Sequence, residues 1–209
     1  MTTKRVVSTL VLSIVFIGGP GLALAQGGGM SGMSGMDMGP KTHAIVIPKG
    51  APYTKADVEF MQGMIAHHSQ AIVMSRMAES HGANPQVLKL SNKIDQSQVA
   101  EIHIMQDWLE RNGQFAPDTS SWHHVMMTGM LTAAQLTQLD AARGVAFDRA
   151  YLHLMIMHHA GALKMVDDLL TTAMAGQEVD VNVFANDVVT AQTVEIGIMQ
   201  KLLTQLPAE

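Results

Sequence analysis

The sequence predicts an all-α fold, a four-helix bundle built from two copies of one helix pair. The first observation is a duplication: residues 57–74 read DVEFMQGMIAHHSQAIVM, and residues 148–165 read DRAYLHLMIMHHAGALKM, 91 positions later (57 to 148). The second is a series of helix-capping residues and helix-ending glycines that mark where helices start and stop. The third is that no stretch alternates persuasively like a strand. Two antiparallel helix pairs with short turns imply a bundle of four helices.

The duplication continues in the helix that follows each copy. Glu101-Ile102 with Met105-Gln106 recurs as Glu195-Ile196 with Met199-Gln200, now 94 positions later (101 to 195). We infer that a two-helix unit was duplicated, with a few residues added between its helices. The matched residues of the first helices are Asp57/Asp148, Met64/Met155, Ile65/Ile156, His67/His158, His68/His159, Ala71/Ala162 and Met74/Met165.

The first element, residues 1–25, has the pattern of a signal peptide. Lys4-Arg5 is followed by an apolar run from Val6 to Ile17, and Ala23-Leu24-Ala25 is a cleavage site. The run is too short to span a bilayer as a stable helix. The mature chain is therefore expected to begin at Gln26 and to be periplasmic or secreted, with no membrane contact after cleavage.

Residues 26–53 are predicted to form a flexible arm. The stretch GGGMSGMSGMDMGP has no apolar periodicity and cannot bury a core. Pro48 and Pro52 keep the residues that follow extended.

The predicted domain occupies residues 54–206, and its first repeat is 54–113. Thr54 opens the first helix with Asp57 in a capping-box position, and Gly82 closes it. Asn84-Pro85 places an N-cap before a proline at the first helical position, which starts the second helix. Gly113 ends that helix.

The connector, 114–144, is predicted to be irregular up to residue 131. Thr132 and Gln135 then form a capping box for a short helix to about Arg143. The second repeat, 145–206, begins with a long helix to about Ala173. Gly176 breaks it, and Asp180 or Asn182 is expected to start a last helix that reaches about Leu206.

Charge and cysteine content limit the function classes. The chain has a net charge of −5, and loss of Lys4 and Arg5 from its 13 basic residues leaves 11 against 18 acidic ones, a net of −7. This argues against nucleic acid as a partner, because nucleic acid requires a basic face. With no cysteine and 18 methionines, the only soft metal ligand available is the methionine thioether, with histidine as a borderline partner.

The duplicated M-x-x-H-H motif is the main candidate site. Adjacent histidines diverge by about 100° around a helix, so they chelate one ion poorly. Met64 lies one turn before His67 and His68, where side chains are neighbours, and each motif can therefore present a thioether and an imidazole to one ion. Glu101 and Glu195, on the facing helices, are weaker candidates.

The methionines also admit a structural interpretation. Taken singly, Met61, Met77, Met105, Met174 and Met199 are interpreted as core residues. Four inward-facing imidazoles are harder to explain by packing, so the duplicated motif is interpreted as a site.

Two further groups of residues are weaker candidates for a copper site. A flexible glycine-rich arm can wrap several thioethers around one Cu(I) ion, whereas a packing role there has no physical basis. The connector presents a mixed cluster in which Trp122 could cover an ion. The arm candidates are Met30, Met33, Met36, Met38 and His43; the connector candidates are Trp122, His123, His124, Met126 and Met127.

The leading hypothesis is a copper-binding protein that buffers or delivers the ion without catalysis. One alternative is a ferritin-like di-iron or di-manganese oxidoreductase, which needs about four inward glutamates and two E-x-x-H motifs. No E-x-x-H occurs in the chain. Another alternative is a metal-free helical interaction module. Copper binding is expected to weaken as the pH falls through the imidazole range, because the ligands must be deprotonated.

The pattern D-x6-M-I-x-H-H-x2-A-x2-M, present twice, resembles the CopM-like bacterial copper-binding proteins, as do G-M-L-T-x2-Q-L at 129–136 and F-D-R at 147–149. The resemblance covers about residues 54–206. It implies a ferritin-like four-helix bundle in the periplasm that binds Cu(I) and Cu(II) in copper tolerance, with copper efflux or delivery proteins as partners. One departure is Gly197 opposite His103. The implied ligands are Met64, His67, His68, Met74, Met155, His158, His159 and Met165.

Overall fold

The structure is a computed structural model that describes residues 43–207. The predicted signal peptide and arm residues 26–42, which include Met30, Met33, Met36 and Met38, lie outside the described residues. The described part contains five α-helices, one 3-10 turn at Ser121–His124 and no strand. The helices are α1 (Lys55–Ser80), α2 (Pro85–Arg111), α3 (Ala133–Ala141), α4 (Gly144–Thr171) and α5 (Val179–Gln205).

The predicted all-α class and four-helix bundle are confirmed. α1 packs against α2, α4 packs against α5, and the two pairs meet mainly through α1 and α4. Those central helices run antiparallel: near the start of α4 the Tyr151 hydroxyl lies 3.0 Å from the Ser75 hydroxyl, late in α1. The short α3 and the rest of the connector lie between the two helix pairs in the chain.

The local signals that predicted the starts of α1, α2 and α3 are confirmed. Thr54 and Asp57 form a capping box at the start of α1, and Thr132 forms one with Gln135 at the start of α3. The Asn84 side chain accepts the Gln86 N–H before α2. These caps depend on residues within one turn, so the sequence alone was sufficient to locate them.

Some boundaries and one interpretation were wrong. The last helix begins at Val179, because Glu178 caps it by accepting the Val181 N–H with its side chain. The N-cap of α4 is Arg143 and its first residue is Gly144. The short helix α3, which was predicted to reach about Arg143, therefore ends earlier, at Ala141. Met174 is 69% exposed and lies in the left-handed region (φ 66°) in the α4–α5 turn, so it is not a core residue.

The duplicated aspartates join the two repeats. Asp57, fully buried on α1, accepts the Gly176 N–H of the α4–α5 turn at 2.7 Å. Asp148 on α4 accepts the Asn84 N–H of the α1–α2 turn at 3.0 and 3.2 Å. Burial raises the pKa of Asp148, and the bond from Asn84 opposes that rise. Each aspartate therefore fixes the turn of the opposite repeat, which explains its duplication without a metal.

Apolar side chains form two clusters in the bundle, one around Met64 and one around Met155. Met61, Met105 and Met199 are fully buried in or beside these clusters, in agreement with the core interpretation. None of the helices in the described part has the length and apolar character required to cross a bilayer.

Candidate metal centre

The four duplicated histidines are buried where the two repeats meet. His67 on α1 and His158 on α4 face each other with ring centroids 3.8 Å apart, although they are matched positions of different repeats. All four imidazoles are at most 1% exposed. Packing of α1 against α4 therefore places a pair of imidazoles at the centre of the fold.

Hydrogen bonds leave ring nitrogens of these histidines free. His67 Nε2–H donates a hydrogen bond to the Thr128 carbonyl at 3.2 Å. The Nδ1 atom of the neutral His67 ring therefore carries no proton and has a free lone pair. His158 has neither ring nitrogen bonded to any described residue. The buried Nδ1 atoms of His67, His68, His158 and His159 all lack a hydrogen-bond partner in the described part of the chain. Buried polar groups are normally paired, so this set of lone pairs requires an explanation.

Burial keeps the central pair neutral. The pKa of His67 is lowered to about 3, mainly by burial and secondly by the neighbouring His68. Burial and then His67 lower the pKa of His158 well below its usual value. The nearby His67 carbonyl acts on the His158 pKa in the opposite direction, although neither His158 ring nitrogen reaches hydrogen-bond geometry with a partner among the described residues. Both rings therefore keep a lone pair for a metal well below neutral pH.

The other two histidines are each held by a carboxylate. His68 Nε2 donates to Glu101 Oε2 at 2.6 Å, and His159 Nε2 donates to Glu195 Oε2 at 2.9 Å. Adjacent histidines thus point to different partners, as the helical geometry predicted. A carboxylate that holds one ring nitrogen and leaves the other free is the usual outer support of a metal-bound histidine.

Glu195 is the more enclosed of the two carboxylates. Its side chain is 3% exposed, against 21% for Glu101. Burial alone would raise the pKa of Glu195, but the bond from His159 and the ammonium of Lys93, 3.3 Å from Oε1, lower it below its usual value. Glu195 is therefore an anion that orients His159.

The connector covers the central pair. Gln70 on α1 donates to the Leu131 carbonyl at 3.0 Å and accepts the Leu131 N–H at 2.6 Å. Gly161 on α4 allows the chain to approach, because a Cβ at that position would lie 2.1 Å from the Thr128 carbonyl oxygen. The connector backbone therefore rests directly on the helix face that carries His158.

The structure separates the methionines that the sequence grouped with the histidines. Met64 lies in one apolar cluster, while Met74 and Met155 lie in the other, and all three are fully buried. Met165 is half-buried and approaches Met127 of the connector at the α1–α4 seam. Their role as copper ligands stays a prediction.

Most of the arm and connector candidates among the described residues lie at the surface. His43 is exposed and stacks on Phe115, with ring centroids 3.8 Å apart. In the connector, Trp122 stacks on the exposed His123 at the same centroid distance. His124 and Met126 are also exposed, and Met126 is 62% accessible.

Two buried glutamines were not among the sequence candidates. Gln98 and Gln192 are 2% and 3% exposed, and both amide atoms of Gln98 lack a partner among the described residues. They lie 94 positions apart (98 to 192), one turn before Glu101 and Glu195. The full repeat of the second helices is therefore Q-x2-E-I-x-I-M-Q, and this longer match was the available signal.

Within residues 43–207, no three side chains drawn from histidine, aspartate and glutamate converge on one point. The strongest grouping is the imidazole pair of His67 and His158. A pair of neutral nitrogen donors suits an ion that accepts low coordination.

Comparisons with known proteins identify similar chains. The model of the family described as "Domain of unknown function (DUF305)" matches residues 57–203. A DUF305 fragment from Deinococcus radiodurans is 30% identical, with 75% of this chain and 100% of that one covered and a TM-score of 0.66. A Streptomyces coelicolor protein, described as a secreted DUF305 protein, is 28% identical, with 72% and 93% covered and a TM-score of 0.62.

CopM is a third similar structure. Its Cu(I)-bound form is 27% identical, with 71% of this chain and 96% of that one covered and a TM-score of 0.58. CopM has also been solved in Cu(II)-bound, Ag-bound and apo forms. A search of curated proteins gives no match.

Proposed function

The chain belongs to the DUF305 family, and we propose that it binds copper at the imidazole pair of His67 and His158. The protein sequesters or delivers the ion and catalyses no reaction. Its fold, shared with the copper-bound and silver-bound forms of CopM at 26–27% identity, supports copper as the ligand.

One observation carries the proposal: three of the four ring nitrogens of this buried pair have no partner among the described residues. Leaving a buried polar group unpaired costs about 1–3 kcal/mol. An ion at the edge of the pair would take one lone pair from each neutral ring, whereas burial keeps a second proton off both rings. The arrangement therefore costs stability in the metal-free protein and is suited to a metal ion.

The donor set favours copper among the available metals. Cu(I) accepts soft ligands and imidazole without strict geometry, and the chain offers imidazoles and thioethers but no thiolate. His68 and His159 each offer an Nδ1 atom without a partner among the described residues and are each held by a glutamate, which suits Cu(II) as well. Met64, Met74, Met155 and Met165 remain the proposed thioether ligands.

The proposed setting is outside the cytoplasm, in copper tolerance. The predicted signal peptide and the similarity to a protein described as secreted support export. Copper efflux or delivery proteins are the proposed partners. Glu101 and Glu195 each bond to a histidine of their own repeat, which fits outer support of imidazoles better than a carboxylate-bridged di-metal site.

The test is Cu(I) competition with a chromophoric chelator at pH 7 under anaerobic conditions, with the full mature chain. The His67→Gln and His158→Gln variants should lose the most tightly bound Cu(I). His103→Gln and His153→Gln are matched controls, because both histidines lie exposed on bundle helices, and they should bind as the unmodified chain does.

Equal Cu(I) retention in the His67→Gln, His158→Gln and control variants would reject this site. A chain that fails to compete for Cu(I) at all would support the metal-free interaction module instead. Circular dichroism of each variant establishes that the helices are retained.

A further inference from the structure

Two methionine side chains meet beside a glycine at the α1–α4 seam. If Gly63 carried a Cβ, that atom would lie 3.2 Å from the Met127 sulfur and 3.4 Å from the Met165 methyl carbon. The missing side chain is therefore the space that these two methionines fill. Met127 comes from the connector and Met165 from α4, so two distant parts of the chain contribute the two side chains.

This arrangement breaks the symmetry of the duplication. The residue that matches Gly63 in the second repeat is Leu154, and the residue that matches Met165 in the first repeat is Met74. Met74 is fully buried with Leu154 packed against its apolar cluster. Only the side that the connector covers thus has a glycine, a half-buried Met165 and an added methionine.

The location links these thioethers to the imidazole pair. Gly63 lies one helical turn before His67, on the same face of α1. Met127 directly precedes Thr128, whose carbonyl accepts the His67 Nε2–H. Met127 and Met165 are half-buried, whereas His67 and His158 are sealed from solvent. An ion that approaches from solvent along this seam meets sulfur before it meets nitrogen.

We propose that Met127 and Met165 form a second Cu(I) site, which also accepts Ag(I), and that it captures the ion before transfer to His67 and His158. Thioethers are soft ligands that bind these ions without strict geometry. The transfer step rests on the proposed function, but the thioether site itself does not. A shift of Met127 on binding would move the adjoining Thr128 carbonyl and so loosen the cover of His67.

The site is tested by Ag(I) titration of the full mature chain with 13C-methyl-labelled methionine, in a His67→Gln/His158→Gln background. Leucine replacements assign the Met127 and Met165 methyl signals. Both signals should shift with one midpoint, and Met127→Leu should abolish the Met165 shift. Met126→Leu is the matched control, since Met126 is the exposed neighbour, and it should leave both shifts intact.

A Met165 shift that survives Met127→Leu, or the absence of a shift at either methyl, overturns the site. Transfer is tested in the chain that keeps both histidines. The quantity measured is the rate of the component of Cu(I) uptake that is absent from the His67→Gln/His158→Gln variant. Met127→Leu should slow it about tenfold, the effect of weakening capture by about 1.4 kcal/mol. An unchanged rate overturns transfer. If the proposed function fails, this component of Cu(I) uptake is absent, whereas the Ag(I) titration of the methionine methyl signals can still be measured.

Discussion

Replacement of His158 by leucine should stabilise the metal-free protein. The imidazole is 1% exposed and neither ring nitrogen has a hydrogen-bond partner among the described residues. A leucine of similar volume removes this unpaired group, which costs about 1–3 kcal/mol when buried. For a domain of this size each kcal/mol corresponds to about 2–4 °C in Tm. His158→Leu should therefore raise the Tm of the metal-free chain and reduce the Tm increase caused by Cu(I).

The neighbouring His159 provides a control with the opposite sign. His159→Leu removes the hydrogen bond to the buried Glu195 carboxylate, a loss of about 1.5–3 kcal/mol for a bond to a charged group. The assay is thermal and urea unfolding at pH 7 after treatment with a chelator. Both variants replace a buried histidine on α4 with the same residue, so hydrophobicity alone cannot produce opposite effects.

The reasoning is refuted if His158→Leu destabilises the metal-free chain as much as His159→Leu does. That result would mean that the His158 ring is satisfied and serves packing. If His158→Leu stabilises the metal-free chain and also loses Cu(I) binding, then His158 lowers the stability of the fold and is retained for metal binding.

Three further predictions concern pH and packing. The folded-state pKa values of His67 and His158 lie below the unfolded value, so the unfolded chain takes up more protons as the pH falls. The contribution of these histidines to the free energy of unfolding should therefore be complete above about pH 6.5 and decrease towards pH 3, as measured by urea unfolding. Asp57→Ala should cost about 1–3 kcal/mol by leaving the Gly176 N–H unpaired, while Cu(I) stoichiometry by chelator competition stays unchanged. Gly161→Ala should displace the connector, since its Cβ would lie 2.1 Å from a backbone oxygen, and should increase proteolytic cleavage between residues 121 and 131.

The low pKa values also change the expected pH dependence of copper binding. The sequence predicted weaker binding as the pH falls through the ordinary imidazole range. His67 is held neutral down to about pH 3 in the folded protein, so Cu(I) affinity at the pair should persist as long as the fold does. The unperturbed pKa of histidine was the only value available from sequence, since burial is a property of the tertiary structure.

Features set within one or two helical turns were predictable from sequence. The caps at Thr54 and Asn84 and the divergence of His67 from His68 all follow from local helical geometry. The duplication also indicated Glu101 and Glu195 as weaker metal candidates, but not their bonds to His68 and His159.

Features that depend on packing between the repeats were not predictable. The sequence paired each histidine with the methionine one turn away, but His67 faces His158 of the other repeat. The role of Gly63 depends on Met127, which is distant in sequence and belongs to the connector that Gln70 anchors to α1. Periodicity along one helix contains no information about such partners.

The most direct measurement is an anomalous difference map at the copper edge from crystals of the full mature chain, loaded anaerobically with one equivalent of Cu(I). The account predicts a peak at the edge of the His67–His158 pair, within coordination distance of a ring nitrogen of each. At higher loading a second peak should lie beside the sulfurs of Met127 and Met165. Copper density confined to other parts of the chain, with the His67–His158 interface unchanged, would contradict the account.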